Sequence, residues 1–423
     1  MKVLIVGSGG REHALAWKVI QSREIEELHV APGNPGIGRF AWCHPHVKAT
    51  DIAAQVELAK KLKADLVIVG PEDPLAGGLV DALKEAGIKA FGPTKAAAMI
   101  EASKEFAKEV MTRAGVPTAA YGAFTDYETA LAYVEMQGAP IVIKADGLAA
   151  GKGVSVCMTL DEARQALKEI MQDDAFAGAG SRVVIEEYME GEEVSVLALS
   201  DGRTIRQMVS AQDHKRIGEG DTGPNTGGMG TYAPVPFYTP EIARTVQKQI
   251  LEPVIREMAR RGTPFVGCLF AGLMLTAEGP KVVEFNCRFG DPETQVVLPL
   301  LKNDLLAVMN ACAEGRLNEV ELSFHEASAA NIVIASGGYP GPYAKGLPID
   351  GLDEADQRGV TVFHAGTAFT EDGELVTAGG RVLGVMAVGE TLEQALAHAY
   401  HGVEVIQFEG KSYRRDIGWR ANR

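Results

Sequence analysis

Cysteine is scarce, and none of it is placed for chemistry. Cys43, Cys157, Cys268, Cys287 and Cys312 stand singly, with no Cys-x-x-Cys pair and no histidine-rich spacing beside them. That excludes a zinc site and a disulfide framework. No apolar run approaches the ~20 residues that a membrane-spanning helix needs. The chain opens Met1-Lys2-Val3-Leu4-Ile5-Val6-Gly7, straight into a short apolar strand, without the charged and apolar regions of a signal peptide. Positive charge is also short: 41 Lys and Arg face 56 Asp and Glu, a net of −15. That balance argues against a nucleic-acid surface and leaves room only for a local basic pocket that takes a small phosphate. Low-complexity tracts and internal repeats are missing as well. The expected setting is a reducing cytoplasm, with no nucleic-acid or membrane partner.

What is there reads as a folded chain of several domains. Hydrophobic residues make up 46% and charged residues 23%, an ordinary globular composition, and 423 residues exceed one core, which predicts about two to four domains. Over the first hundred residues apolar runs (Val3–Val6, Leu28–Val30, Leu66–Val69, Lys89–Phe91) alternate with helical patterns (Glu12–Gln21, Ile52–Leu62, Leu75–Ala86). That alternation predicts a doubly wound parallel sheet with its ligand crevice at the carboxyl ends of the strands. The loops there carry Gly9, Gly10 and Arg11, then Gly33 and Asn34, then Thr50 and Asp51, then Glu72. The first loop misses the dinucleotide fingerprint GxGxxG, because Glu12 stands where the third glycine belongs. A single sugar phosphate at the helix start fits better than NAD; the alternative is that these glycines only turn the chain.

A helical stretch Ala96–Ala114 contains Ser103-Lys104, and Gly115-Val116-Pro117 breaks it. The next unit has a strand Pro140–Lys144 that leads into the small-residue loop Ala145–Val154. With Lys144 and Lys152 this loop reads as a phosphate cover, although it is not a Walker A loop: Asp146 and Gly153 stand where that motif needs Gly and Ser or Thr. Val183–Met189 reads as a buried strand carrying Glu186 and Glu187 at its end, and Glu192-Glu193 open another; such acids can hold an adenine amine and ribose hydroxyls, or simply face solvent. Asp213-His214-Lys215 precede the glycine-rich run Asp221–Gly230, which cannot be a helix interior and reads as a substrate-embracing loop. His214 is a candidate base or a positioning residue. The last hundred residues predict an α+β closing domain.

The densest chemistry lies in Val283–Glu293. A strand over Lys281–Phe285 puts Glu284 and Asn286 on one face, with Val283 and Phe285 packed on the other. Two hard oxygen donors of that kind suit Mg²⁺, which takes water and phosphate oxygens for the rest of its shell. Arg288 can clamp an anion beside it, and Asp291 and Glu293 follow; the alternative is a solvated Arg-Asp strand end.

These motifs carry a resemblance. GSGGREHALAW, IKADGLAAGKGV, EEYMEGEEVS, QDHKRIGEGDTGPNTGGMG, EFNCRFGDPETQ and the closing RRDIGWR resemble, over nearly the whole chain, the phosphoribosylamine–glycine ligase family of the ATP-grasp superfamily. The resemblance implies an N-terminal substrate-binding α/β domain over 1–103, an ATP-grasp domain over 104–325 with its lid near 119–190, and a C-terminal α+β domain over 326–423. It implies ligation of glycine to 5-phosphoribosylamine through a glycyl phosphate, with ATP and Mg²⁺ or Mn²⁺ as cofactors, by a monomer or weak dimer. Lys104 and Lys144 would contact ATP phosphates, with Lys152 beside them. Glu186, Glu187, the Tyr188 backbone and Glu193 would hold adenosine, and Glu284 with Asn286 would bind the metal. Arg288, Lys144 and Lys215 are the catalytic candidates. The N-terminal loop residues, Asp213, Asp291, Pro292 and Glu293 are those for substrate. One departure stands out: many superfamily members carry another acid on the strand before the metal motif, and Val266–Leu275 has none. Three other readings compete, namely a nicotinamide oxidoreductase, a different ATP-grasp ligase or carboxylase, and an inactive nucleotide-binding regulator.

Overall fold

The computed structural model describes residues 1–148, 153–173 and 181–422. Lys152 and much of its loop lie outside the described residues.

Val3-Leu4-Ile5-Val6 is apolar at consecutive positions because both faces of its strand are covered: Val3 and Ile5 enter one core cluster, Leu4 and Val6 another. This strand, Lys2–Gly7, is the centre of a five-stranded parallel sheet. Glu27–Pro32 and Trp42–Cys43 lie on one side of it, and Leu66–Val69 and Ala90–Phe91 on the other. The doubly wound reading holds, and helix Ile52–Leu62 falls where its pattern put it. Two expected helices are each two. Leu75–Ala86 divides into Glu72–Ala76 and Leu79–Glu85, because Gly77-Gly78 intervenes and Gly78 takes φ +94°. Ala96–Ala114 divides into Lys95–Ala102 and Lys104–Ala114. Ser103 is extended there, and its hydroxyl caps the second helix at Phe106 N.

The second sheet has eight antiparallel strands. In order across it run Gly279–Asn286, Val266–Thr276, Glu192–Asp201, Ile205–Asp213, Gly230–Ala233, Ser328–Ala335, Arg381–Gly389 and Thr361–His364. Strands from the middle and the last part of the chain therefore share one sheet. The register corrects the expectation for its edge strand. Glu284 pairs with Gly272 and Asn286 with Phe270, but Leu273 pairs with Val282, so Val283 is the extra residue of a bulge. Val282, not Val283, joins Phe285 in the core.

A smaller antiparallel sheet, ordered Tyr121–Phe124, Val183–Glu187, Ile141–Ala145, Val154–Cys157, carries helices Tyr127–Gln137 and Leu160–Met171 and has its own core. The glycine-rich run, read as a substrate-embracing loop, forms in part a short hairpin, Arg216–Gly218 against Thr222–Asn225, turned by Gly220 and Asp221 at φ +64° and +59°. All five cysteines are free. No helix among the described residues is long and apolar enough to cross a membrane.

Candidate active site

The small sheet delivers its cations through strand alternation. Lys144, 4% exposed on strand Ile141–Ala145, points its ammonium at Glu186 Oε2, 2.8 Å away, and at the Val283 carbonyl, 3.4 Å away. Glu186 is equally buried, and its Oε1 lies 3.3 Å from Lys108 Nζ. Glu187, next along the strand, takes the opposite face: its side chain is exposed and accepts from Ala120 N. The structure thus brings Glu186 to the cluster and keeps the Glu187 side chain out of it. Lys104 begins its helix with its backbone N–H on Asp146 Oδ1 and its ammonium on the Gly147 carbonyl, 2.9 Å away. Burial lowers its pKa, while Glu284 and Asp146 oppose that shift.

From the large sheet, Glu193 accepts from Lys215 at 2.8 Å. The Glu193 carboxylate raises the Lys215 pKa against burial, and Glu284 adds to it; Lys144 in turn helps lower Glu193. Asp213 and Glu293 form a different pair. Burial and the Glu293 charge push Asp213 well above the usual carboxylate range, and burial, with Asp291 adding to it, raises Glu293. Ser195 Oγ donates to Glu293 at 3.3 Å. A Cβ on Gly228 would lie 2.6 Å from both Asp213 Oδ1 and Pro292 Cδ, so only glycine lets the backbone close over this acid. His214 is not available as a base. Its Nδ1 faces the Gly230 carbonyl at 2.9 Å, its Nε2 accepts from Gly418 N at 3.0 Å, and burial pushes its pKa down to about 4.

Arg288 is clamped at the end of the metal-motif strand. Nε donates to Glu72 at 3.0 Å, Nη2 lies 3.1 Å from Glu101, and Nη1 donates to the Phe289 carbonyl at 3.4 Å. Its partners are therefore not Asp291 or Glu293, the acids adjacent in sequence. Burial opposes its charge, yet Glu101 and Glu72 hold its pKa raised. Glu101 also accepts from Cys287 N at 2.8 Å.

The N-terminal loops border a cleft of about 260 Å³ lined by Gly9, Arg11, Thr50, Asp73 and Asp291 among others. At the helix start read as a phosphate seat, Gly9 N donates to Glu12 Oε2 at 2.7 Å and Arg11 N to Asp291 Oδ2 at 3.3 Å, so two of its N–H groups already face carboxylates of the chain. Gly10 packs so closely on Gln295 that a Cβ would lie 2.8 Å from Nε2. Asn34 is spent on backbone, donating to Ser8 and His364 carbonyls and accepting from Ile37 N, and Gly33 abuts Cys43. Asp51 caps helix Ile52–Leu62 through Ala54 N at 3.0 Å. The Asn34 side chain is therefore engaged throughout, while Asp51 is exposed and commits one carboxylate oxygen to the cap.

Four residues escaped the sequence reading as site members. Glu12 was read only as a failed fingerprint. Glu101 and Lys108 sit in helices with no motif around them. Arg381 donates to the carbonyls of Gly227, at 2.6 Å, and Asp291, at 3.0 Å; its only signal was the Gly379-Gly380 turn before it. Glu284 and Asn286 have the hard oxygen donors that fit a divalent cation completed by water and phosphate.

The chain matches three family models: phosphoribosylglycinamide synthetase N domain over residues 1–101, ATP-grasp (A) domain over 102–294, and C domain over 329–420. It is 53% identical to the phosphoribosylamine–glycine ligase of Nostoc sp., covering all of both chains. To that of Brucella melitensis it is 51% identical, covering 100% of this chain and 98% of the other. The crystal structure of the Thermotoga maritima phosphoribosylamine–glycine ligase superposes with a TM-score of 0.85 at 35% identity, covering 99% and 100%. The biotin carboxylase domain of Hydrogenobacter thermophilus 2-oxoglutarate carboxylase, at 18% identity, 97% and 91% coverage and TM-score 0.72, shares the fold alone. With its N, ATP-grasp and C segments all matched and end-to-end relatives above 50% identity, the chain belongs to the phosphoribosylglycinamide synthetase, or phosphoribosylamine–glycine ligase, family.

Proposed function

We propose that this chain uses ATP to join glycine to 5-phosphoribosylamine, giving glycinamide ribonucleotide, ADP and phosphate in de novo purine synthesis, and that it works in the cytoplasm, a setting that suits its five free thiols. One observation carries the reading of the site. The buried Lys144–Glu186 pair and the Glu193–Lys215 pair are joined by charge, since Lys144 acts on Glu193 and Glu284 on Lys215, while Lys215 and Arg288 both act on Glu293 and Arg288 pairs with Glu72 beside the parallel sheet. Such a run of charges binds a polyphosphate at one end and a carboxylate at the other.

Lys104 and Lys144 take the ATP phosphates, while Glu186, the Tyr188 backbone and Glu193 hold the adenosine. Glu284 and Asn286 would hold Mg²⁺ or Mn²⁺, which when bound neutralises phosphate charge. Arg288, held by Glu72, Glu101 and the Phe289 carbonyl, offers the glycine carboxylate the second N–H of each Nη, and Asp213 and Glu293 face its ammonium. One carboxylate oxygen attacks the γ-phosphorus, ADP leaves, and the resulting glycyl phosphate yields phosphate when the amine of phosphoribosylamine attacks its carbonyl carbon. The phosphoribosyl group lies in the cleft near Arg11 and Thr50. Position and charge neutralisation suffice for this chemistry, with no nucleophilic side chain. The test is ADP release with and without glycine and freshly made phosphoribosylamine. ADP formed only with both substrates supports the reading; release driven by another carboxylate or amine overturns it.

A further inference from the structure

Lys108 is 2% exposed, on a helix face otherwise buried through Ala107, Val110 and Met111. Packing alone does not call for a charge there, and a buried ammonium is costly unless paired. Its Nζ donates to Thr118 Oγ1 at 2.8 Å and the Ala119 carbonyl at 3.3 Å, and lies 5.3 Å from the Tyr121 ring centroid. Thr118 Oγ1 donates onward to the Val282 carbonyl at 2.7 Å. Lys144, the other partner of Glu186, points at the next carbonyl, Val283. Two lysines thus share one carboxylate, and they reach consecutive carbonyls at the bulge beside Glu284, Lys144 directly and Lys108 through Thr118.

The charge arithmetic gives Lys108 a task. Lys144 and Glu186 alone form a neutral buried pair, which leaves little field for an anion. Two ammonium groups against one carboxylate leave one net positive charge. We infer that Lys108 is a positioning residue that engages half of the Glu186 carboxylate, so that Lys144 keeps its charge for the nucleotide's polyphosphate. This rests on the reading of Lys144 as a phosphate contact. Lys108 itself stays behind Glu186, held by Thr118 and Ala119.

The quantity to measure is the ratio of dissociation constants for adenosine and Mg-ATP, by calorimetry on the full chain without glycine or phosphoribosylamine. Lys108→Met keeps the length and removes the charge. The ratio should fall roughly tenfold or more, because a unit charge is removed from the buried cluster through which Lys144 is proposed to meet the phosphates. Adding Glu186→Gln to Lys108→Met restores the net charge and should return the ratio toward wild type. Glu186→Gln alone should raise it, and that variant decides the matter if Lys108→Met does not fold, since an unchanged or lower ratio then overturns the inference. A folded Lys108→Met with a ratio within about twofold of wild type also overturns it. So does a double variant that binds Mg-ATP worse than the single one, the result expected if Lys108 were only structural. Lys144→Met separates the two claims. If it leaves the ratio intact, the phosphate reading falls and the inference with it; if it collapses the ratio while Lys108→Met does not, only the inference falls.

Discussion

Arg288 Nε lies 3.0 Å from Glu72 Oε2, an ion pair between residues 216 apart in sequence that joins the end of the metal-motif strand to the first residue of helix Glu72–Ala76, beyond strand Leu66–Val69 of the parallel sheet. Glu101 grips the same guanidinium and the Cys287 N–H, so Arg288 is preorganised from two sides. Arg288→Lys should fold and bind ATP normally yet lose about 10²–10³ in turnover, the usual effect of removing one preorganised donor. Calorimetry for ATP and steady-state rates check this. Near-normal turnover with a lowered melting temperature would reduce Arg288 to a tie between the two sheets.

Glu284 is a charged oxygen donor and Asn286 a neutral one, and water can replace the second more easily than the first. Glu284→Ala should fold without turning over at any Mg²⁺ concentration, whereas Asn286→Ala should recover part of its rate as Mg²⁺ is raised. Titrating Mg²⁺ against the rate of each variant checks it. A near-normal rate for Glu284→Ala at ordinary Mg²⁺ would place the metal elsewhere.

Parts of this architecture were legible from residues alone, and the reasons differ by element. The strand Leu66–Val69 and helix Ile52–Leu62 were read to the residue because a four-residue apolar run and a helical apolar pattern are local signals, while the Asp51 cap on that helix came from the structure. The bulge at Val283 left no such trace: it is set by the pairing of two strands, and a strict period of two misplaces one side chain. The neighbours of Arg288 differ from those of the alternative reading, an Arg-Asp strand end, for a related reason. Asp291 and Glu293 are close in sequence, but a buried guanidinium takes the carboxylates the fold delivers, here Glu72 and Glu101. Lys108 escaped because a lone lysine in a helix usually snorkels to solvent. The failed GxGxxG told only what Glu12 does not permit; that Glu12 and Asp291 take two N–H groups of the helix start emerged from contacts.

Gly228→Ala should damage the acid pocket more than the fold. The new Cβ would press on Asp213 and Pro292 at 2.6 Å, at a backbone φ of +117° that side chains rarely adopt. Strain of this kind is worth about 1–3 kcal/mol, so a lower melting temperature is expected together with a raised KM for glycine and an unchanged affinity for ATP. An unchanged glycine KM would remove Asp213 from the glycine site.

Buried histidines predict acid lability. His214 and His364 are each held at about 4 by burial, and His13, which accepts from His364 N at 2.7 Å, is lowered as well. Their unfolded forms titrate near 6.5, so between roughly pH 6.5 and 4 the unfolded state binds more protons and stability falls as pH falls. Each of the first two contributes about 3 kcal/mol to that loss at the bottom of the window. Asp213 and Glu293, raised in the fold, act in the opposite direction as pH climbs, so the comparison must be between variants. His364→Gln should flatten the decline in urea midpoint from pH 7 to 5 relative to wild type; an identical slope would show that this histidine is protonated in the folded chain.

Oxygen-isotope tracing tests the acyl phosphate that the Arg288 clamp is proposed to hold. If a glycine carboxylate oxygen attacks the γ-phosphorus, that oxygen becomes the bridge of glycyl phosphate. Attack by the amine breaks the bond between the carbonyl carbon and that oxygen, so phosphate departs with it while the second carboxylate oxygen stays in the new amide. Glycine labelled at both oxygens should therefore give inorganic phosphate carrying one label and an amide carrying the other. Mass spectrometry of the phosphate, compared with a control lacking phosphoribosylamine, reads this directly. The Arg288→Lys enzyme should show the same labelling at its reduced rate, because the arginine positions the carboxylate and supplies no atom. Label found in water and amide, with unlabelled phosphate, would mean that the carboxylate is activated by some route other than phosphorylation, and the role proposed for Arg288 would fall with the glycyl phosphate.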